Sequence, residues 1–485
     1  MSPATVRPGS VSGSPTQSEG LLARVATAFT SWAERWFPDA YIFVAVAVAI
    51  ASLGAITNGA SVRAVTDAFG NGFWSLITFT MQMVFVVIGG YVVATSKPAQ
   101  KLIRGLAGLP KTGTGAVGLV AAASILSSLL NYGVSLIFGG LLVRALADRE
   151  ELRMDYRAAG AAAYLGLGAT WAMGLSSSAA LLQANAASLP KALLPITGVI
   201  PFTETIFTWQ SLVVVVTLLV ISIAVAMLSA PGPGSAVTAQ SMAIESLQEN
   251  QNQTRSPQKP GEWLEHSPLL TLLLAALAAG WLFHEFLRQG AIAAISNLNT
   301  YNFLFLMAGL LLHWYPKDFL GAVAKSVPAT TGILIQFPLY GSIAAILTQA
   351  KNAAGVTLSD QISHLFVSAS TQHLYPILIG VYSAVLGLFI PSGGGKWLLE
   401  APYVMQAAND LKFHLGWAVQ IYNAAEALPN LVNPFWMLPL LGILGLRARD
   451  LVGFTFLQLL VHVPVVLFLL WALAFTFQYH PPVVP

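Results

Sequence analysis

The 485-residue sequence contains no cysteine and few charged residues. Without cysteine the chain forms no disulfide, has no thiolate nucleophile and builds no cysteine-ligated zinc or iron–sulfur site. Asp, Glu, Lys and Arg together make up 9% of the chain, against roughly 25% in an average soluble domain. The net charge is +3 and the basic residues form no contiguous patch, so we expect no nucleic-acid partner. These shortages exclude an ordinary water-soluble globular protein.

Hydrophobic residues dominate instead, at 56% of the chain with a mean hydropathy of +0.70. Several apolar runs exceed the roughly 18 to 20 residues needed to cross a ~30 Å hydrocarbon core. The sequence therefore predicts an all-α polytopic membrane protein with about nine full transmembrane helices and two opposed re-entrant hairpins. Seven spans are simple, at about 38–57, 73–95, 208–230, 267–287, 299–316, 327–349 and 451–477. Two spans are interrupted, at about 155–186 and 413–446. Two further runs form the hairpins, at about 113–146 and 374–409.

The positions of the basic residues set the orientation. If both hairpins leave the membrane on the side of entry, 17 of the 23 Lys and Arg residues lie on the side of the N-terminus. Five lie on the other side, and Lys396 lies within the second hairpin. The positive-inside rule then predicts a cytoplasmic N-terminus and an external C-terminus. Treating only one hairpin as a full span would put later positive loops on the wrong side.

The order of the segments predicts two related halves. We expect a cytoplasmic tail and interfacial helix at 1–35, followed by a first repeat at 36–230. A cytoplasmic linker at 231–266 and a connecting span at 267–298 then lead to a second repeat at 299–485. Each repeat runs span, span, hairpin, broken span, span. The extra crossing delivers the second copy to the opposite face, so the repeats are inverted. Inverted repeats with broken helices are typical of secondary transporters, whose site lies between the repeats near the midplane.

Short motifs along nearly the whole chain from Trp36 carry a family resemblance. They are Trp36-Phe37-Pro38-Asp39, Gly72-Phe73-Trp74, Gly332-Ile333-Leu334-Ile335-Gln336-Phe337-Pro338, Pro391-Ser392-Gly393-Gly394-Gly395 and Asn433-Pro434-Phe435-Trp436. With these motifs the sequence resembles the bacterial short-chain fatty acid transporters, part of a wider superfamily of ion-coupled carboxylate carriers. The resemblance implies a multi-pass protein of the bacterial cytoplasmic (inner) membrane. It also implies hairpin tips and unwound helices that hold a carboxylate and cations.

The break points offer groups suited to a carboxylate. Helix N-termini present unpaired N–H groups with partial positive charge, and glycine lets a ligand approach the backbone closely. We therefore expect the substrate at the second tip, the first tip and the two breaks: Ser392, Gly393, Gly394, Gly395 and Lys396; Asn131 and Gly133; Ser176, Ser177 and Ser178; and Asn433. Tight turning, helix capping and close packing would also account for the glycines, Asn131 and the serines.

Glu426 is an acid inside a broken span, where a carboxylate is costly and marks a functional hypothesis. Together with Asn430 it is the expected site of cation coupling. Three roles remain open for Glu426: it coordinates a cation, carries a proton, or pairs with Lys396. Lys396 in turn has Glu400 at i+4 as an alternative partner.

The family resemblance implies the class of substrate, and together with these residues it leads to one function and two alternatives. We expect a secondary active transporter for short-chain fatty acids and related monocarboxylates such as butyrate and acetoacetate, with uptake coupled to Na⁺ or H⁺ by alternating access. An anion channel or passive pore, and a non-transporting membrane scaffold, are the alternatives. We expect no enzymatic activity, no cofactor and no metal site, because no nucleophile–base set and no histidine cluster is evident. The expected partners are the substrate and the lipid bilayer, and a homodimer is left open.

Overall fold

The computed structural model describes residues 35, 40–186, 188–244, 259–390, 392–433 and 435–483. Within these residues the fold is all-helical, and seven helical segments are long and apolar enough to cross a membrane. The protein is thus a polytopic α-helical membrane protein. The predicted tail and interfacial helix lie outside the described residues, apart from Arg35.

Among the described residues of the first half, ten segments are α-helices. They are α1 Ala40–Thr57, α2 Val62–Ser75, α3 Ile77–Ala94, α4 Lys97–Ala107, α5 Gly113–Leu130, α6 Tyr132–Ala147, α7 Tyr156–Leu165, α8 Ser178–Gln183, α9 Leu194–Thr197 and α10 Trp209–Ser229.

The second half begins with the short α11 Glu262–Glu265. It continues with α12 Pro268–Gln289, α13 Ala291–Ser296, α14 Leu298–His313, α15 Pro316–Ser326, α16 Thr331–Gln349, α17 Leu358–Ala369, α18 Tyr375–Phe389, α19 Gly393–Asp410, α20 Leu415–Asn430, α21 Leu438–Leu444 and α22 Ala448–Ala474.

Two pairs of consecutive helices are each joined by a short turn. In the first, α5 and α6 meet at Asn131, and Gly113 at the start of α5 packs against the backbone of Leu152, beyond the end of α6. In the second, α18 and α19 contact each other where the Tyr375 hydroxyl donates to the Val404 carbonyl at 2.7 Å. The two pairs coincide with the segments 113–146 and 374–409, and their re-entrant course in the membrane stays a prediction.

The first broken segment changes helix type twice before it stops. After α7 comes a π-helical turn at Gly166–Thr170, then a 3₁₀ turn at Trp171–Met173. The chain is not helical again until α8, whose N-cap is Ser177. A side chain on Gly174 would collide with the backbone of Leu129, so glycine lets the break lie against the first tip.

The second broken segment is α20, which ends at Asn430 directly after Pro429. Its C-terminal end turns through 431–433, and Pro434 lies outside the described residues. The predicted linker at 231–266 is described in part. Residues 231–244 pack on the protein, because Val237 exchanges hydrogen bonds with the Tyr156 backbone and the Asp155 carboxylate.

Residues 477–483 form a segment that we name the C-terminal strap. It crosses one end of the molecule, and its Val483 carbonyl accepts a hydrogen bond from the Val199 amide at 2.9 Å. Phe477 stacks on Trp417 at 5.0 Å between ring centroids. The imidazole of His480 contacts the carboxylate of Glu204 at 3.0 Å. The strap thus connects the loop before α10 with the start of α20.

Candidate functional site

A cavity of about 790 Å³ separates the two hairpin tips. Tyr132 and Gly133 from the first tip line it on one side, and Ser392 from the second tip lines it on another. The remaining wall is mostly apolar and comes mainly from α3, α6, α16 and α21, with Lys325 at its exposed edge. A cavity of this size accommodates a small organic ligand with surrounding water.

A much smaller cavity of about 20 Å³ adjoins the large one. Both share Tyr132, Ile333, Phe337, Ser392 and Trp436 in their walls. The small cavity has room for about one water-sized group, so it suits the polar head of a ligand rather than a whole molecule. We name it the head cavity.

The second tip forms one wall of the head cavity. Gly393 and Gly394 open α19 and line this cavity with their backbone, ahead of the first intrahelical bonds. A Cβ on Gly393 would lie 2.4 Å from the ring of Trp171, and one on Gly395 would lie 2.1 Å from the ring of Tyr340. The glycines are therefore required by close packing, and they leave the helix N-terminus facing the cavity.

Two residues in the wall of the same cavity carry buried side-chain groups without a hydrogen-bond partner among the described residues. The groups are the indole Nε1–H of Trp171 and the side-chain amide of Asn430. Both residues are at most 5% exposed. An unpaired buried polar group is costly, so these donors point to a polar ligand. Ser178 also lines the head cavity, at 3% exposure.

Two of the predicted substrate residues, Asn131 and Gly133, lie at the first tip. The carboxamide oxygen of Asn131 accepts from the amides of Gly133 at 2.8 Å and Val134 at 3.1 Å. Its nitrogen donates to the Val86 carbonyl and the Tyr301 hydroxyl. Asn131 is therefore a helix cap whose side-chain hydrogen bonds are made inside the protein in this structure, and its predicted role as a ligand stays a prediction. Gly133 lines only the large cavity.

Ser176 and Ser177 likewise bond to the protein. The Ser176 hydroxyl accepts from the Tyr132 amide at 3.0 Å, which ties the first break to the first tip. The Ser177 hydroxyl caps α8 and donates to Asn423 at 3.2 Å. Asn433 bonds to the Leu388 carbonyl on the second hairpin and does not line either cavity. Of the serines at the break, Ser178 alone reaches the head cavity, while Ser392 caps α19 through the Gly395 amide.

Lys396 lies behind the second tip and away from both cavities. Its ammonium contacts the carboxylates of Glu400 at 3.0 Å and Glu426 at 2.8 Å. It also donates to the hydroxyl of Ser383 at 2.6 Å and to its carbonyl at 3.0 Å. All three charged side chains are at most 1% exposed. Both pairings that the sequence left open are formed, so Lys396 binds carboxylates of the protein and is not placed to bind substrate.

Aromatic residues of the site were not predicted from the sequence. Trp171, Phe337, Tyr132 and Trp436 surround the head cavity, and the rings of Tyr132 and Trp171 meet edge to face at 5.3 Å. The motif signal was present, because Phe337 and Trp436 fall within the segments that carry the family resemblance. Position alone did not show that their rings face one cavity.

Glu204, His414 and His480 form a cluster at the C-terminal strap, with candidate ligand atoms within 4.8 Å of one another. The Nδ1 atom of His414 accepts the Trp417 amide at 3.0 Å, so in the neutral ring Nε2 carries the proton. A metal would need that nitrogen unprotonated. We therefore assign this cluster to attachment of the strap.

Paired helical hairpins, broken helices and a cavity between the tips define a membrane transport protein. The chain matches the short chain fatty acid transporter family over residues 21–473, and it belongs to that family. A provisionally named short-chain fatty acid transporter of Escherichia coli (strain K12) is 31% identical over 441 residues, covering 91% of this chain and 97% of the relative. One of Haemophilus influenzae is 28% identical over 452 residues, covering 92% and 98%.

Two solved structures share the fold at low identity. MtrF of Neisseria gonorrhoeae, described within a class of antimetabolite efflux pumps, has a TM-score of 0.60 and 13% identity, covering 95% of this chain and 99% of its own. The YdaH transporter of Alcanivorax borkumensis has a TM-score of 0.50 and 15% identity, covering 93% and 97%. These likenesses show the fold alone.

Proposed function

We propose that the protein is a secondary active carrier that imports short-chain fatty acids and related monocarboxylates, such as butyrate and acetoacetate, by cation-coupled alternating access. The observation that supports this most is the head cavity. Its wall contains the N-terminus of α19 and two residues whose buried donors have no partner among the described residues, and a large apolar space adjoins it. A short monocarboxylate has the matching chemistry, with an anionic head and an apolar tail.

In the proposed binding mode the carboxylate enters the head cavity. It accepts hydrogen bonds from Trp171 and Asn430 and lies against the amides at the start of α19. The acyl chain extends between Phe337 and Ile333 into the large cavity. This arrangement exchanges the hydration of the anion for fixed donors without a full protein charge in the cavity.

The proposed orientation places the large cavity on the cytoplasmic side. Lys325 at its edge belongs to the positively charged loops that the positive-inside rule assigns to the cytoplasm. At the opposite end the C-terminal strap covers the start of α20. The conformation is then inward-facing, in a bacterial cytoplasmic membrane, with the two halves as inverted repeats and the hairpins re-entrant.

Counterflow in liposomes tests the carrier proposal. Purified protein is reconstituted with unlabelled butyrate inside, and labelled butyrate is added outside at equal pH. A carrier accumulates label transiently above equilibrium through exchange, and protein-free liposomes supply the background of diffusing butyric acid. Equilibration without overshoot would identify an anion channel or pore, and no protein-dependent flux would identify a scaffold.

A further inference from the structure

Lys396 occupies the place that a bound metal cation would take. Four oxygen atoms surround its ammonium at 2.6 to 3.0 Å: the hydroxyl and carbonyl of Ser383, Oε1 of Glu400 and Oε2 of Glu426. The ring of Tyr422 covers the group at 4.3 Å from its centroid. A hard cation such as Na⁺ needs several oxygen ligands of this kind, and here an immobile positive charge already uses them.

The cluster carries one more acid than base. With all three groups ionised, one ammonium faces two carboxylates, and all are at most 1% exposed. An uncompensated charge at such depth is strongly unfavourable. One proton on a carboxyl group would remove the excess.

The two carboxylates are held differently. Glu400 accepts hydrogen bonds through Oε1 from Lys396 at 3.0 Å and from Ser383 at 3.3 Å. Glu426 touches the ammonium, but neither of its oxygens has a hydrogen-bond partner among the described residues. Glu400 also has one oxygen, Oε2, without a partner among the described residues. Two donors nevertheless hold its Oε1, whereas neither oxygen of Glu426 is held by a hydrogen bond, so Glu400 is the fixed counter-ion of Lys396 and Glu426 is the carboxylate freer to take a proton.

We infer that the coupling ion is a proton, bound by Glu426 next to the Lys396–Glu400 pair, and that Na⁺ has no site there. This inference rests on the proposed function. The proton bonds to Oε1 of Glu426 from water on one side of the membrane and returns to water on the other. Because one proton accompanies one monocarboxylate anion, the loaded carrier moves no net charge.

The cluster is linked directly to the head cavity. Lys396 is the fourth residue of α19, and its amide bonds to the Ser392 carbonyl at 2.7 Å in the turn that presents Gly393 and Gly394. On α20, Asn430 follows Glu426 by one helical turn and lines the head cavity. Protonation of Glu426 changes the charge beside both the glycine turn and Asn430.

Other ionisable groups that face the two carboxylates are tyrosine hydroxyls. They come from four helices, namely Tyr340 on α16, Tyr375 and Tyr382 on α18, Tyr403 on α19 and Tyr422 on α20. Tyrosine hydroxyls stay neutral between about pH 5 and 8. A change of charge in this pH range therefore falls on the carboxyl groups.

Proteoliposomes with labelled butyrate as probe test the inference in three arms, each corrected for protein-free liposomes. At equal pH, wild-type protein should show counterflow; its absence would overturn the proposed function itself. With the outside one pH unit more acidic and no Na⁺ present, initial uptake should rise several-fold, toward the tenfold bias of such a gradient. It should not change with an imposed membrane potential. With a Na⁺ gradient at equal pH, initial uptake should stay at the rate measured without any ion gradient.

Counterflow together with Na⁺ stimulation, or with acceleration by an inside-negative potential, would overturn proton coupling while leaving the carrier intact. The variant Glu426→Gln should keep counterflow and lose the response to the pH gradient. The matched control Asp410→Asn, an exposed acid at the end of α19, should keep both. A retained pH response in Glu426→Gln would refute the role of Glu426. If that variant does not fold, the wild-type arms still decide between proton and Na⁺.

Discussion

Replacing Lys396 with methionine should destabilise the protein severely. Methionine nearly fills the same volume, so the packing loss is small. The ammonium, however, is the shared partner of two buried carboxylates and two oxygens of Ser383. Removing one partner of a buried ion pair costs about 3–5 kcal/mol. We expect a loss of that size, since Glu400 is left ionised without its partner.

The assay is equilibrium unfolding in mixed detergent micelles, followed by the fluorescence of the 12 tryptophans. Lys351→Met, at an exposed lysine, is the control and should stay within about 0.5 kcal/mol of wild type. Adding Glu400→Gln to Lys396→Met should recover most of the loss. Stability of the single variant within about 1 kcal/mol of wild type, or a better rescue by Glu426→Gln than by Glu400→Gln, would contradict the assigned pairing.

Three further changes probe the tip, the head cavity and the topology. Gly394→Val should abolish butyrate uptake in folded protein, because a Cβ there already lies 3.1 Å from the Cβ of Ser178. The control Gly280→Val, where a Cβ has no neighbour within 4 Å, should transport normally. Normal uptake by Gly394→Val would mean that the tip is only a turn. Asn430→Ala should raise the KM for butyrate about 10- to 100-fold through loss of a bond worth about 1.5–3 kcal/mol, and an unchanged KM would place the carboxylate elsewhere. Single cysteines at Lys101 and Arg153 should both label from the cytoplasm, whereas labelling from opposite sides would mean that the first hairpin crosses the membrane.

Much of the fold could be predicted because a membrane-spanning helix requires a long apolar run, which is visible in the sequence. The interruption at Gly174 was visible as small and polar residues inside a hydrophobic run, and the structure stops the helix there. The π-helical turn at Gly166–Thr170 was not predicted. At its start the Gly166 amide donates to the Ser124 hydroxyl at 2.9 Å. This contact joins residues far apart in the sequence, so no local pattern indicates it.

The site was predicted only in part, for a related physical reason. A residue type shows what a group can bind, but the partner that it meets depends on packing. Asn131 has suitable atoms for a ligand, yet Tyr301 and two tip amides occupy them. Trp171 has the pattern of an ordinary apolar residue, yet it lines the head cavity and its indole nitrogen has no hydrogen-bond partner among the described residues.

The C-terminal strap has a consequence for the order of assembly. Its partners, among them Val199, Glu204 and Trp417, are synthesised long before it, and a chain emerges from the ribosome N-terminus first. The contacts of Phe477, His480 and Val483 can form only after α22 has been made. Until then the apolar face of Trp417 at the start of α20 lacks its cover, so a nascent chain stalled before the strap would expose a surface that quality-control proteases recognise. Closure of the strap is therefore a late folding event that marks a completed helical bundle.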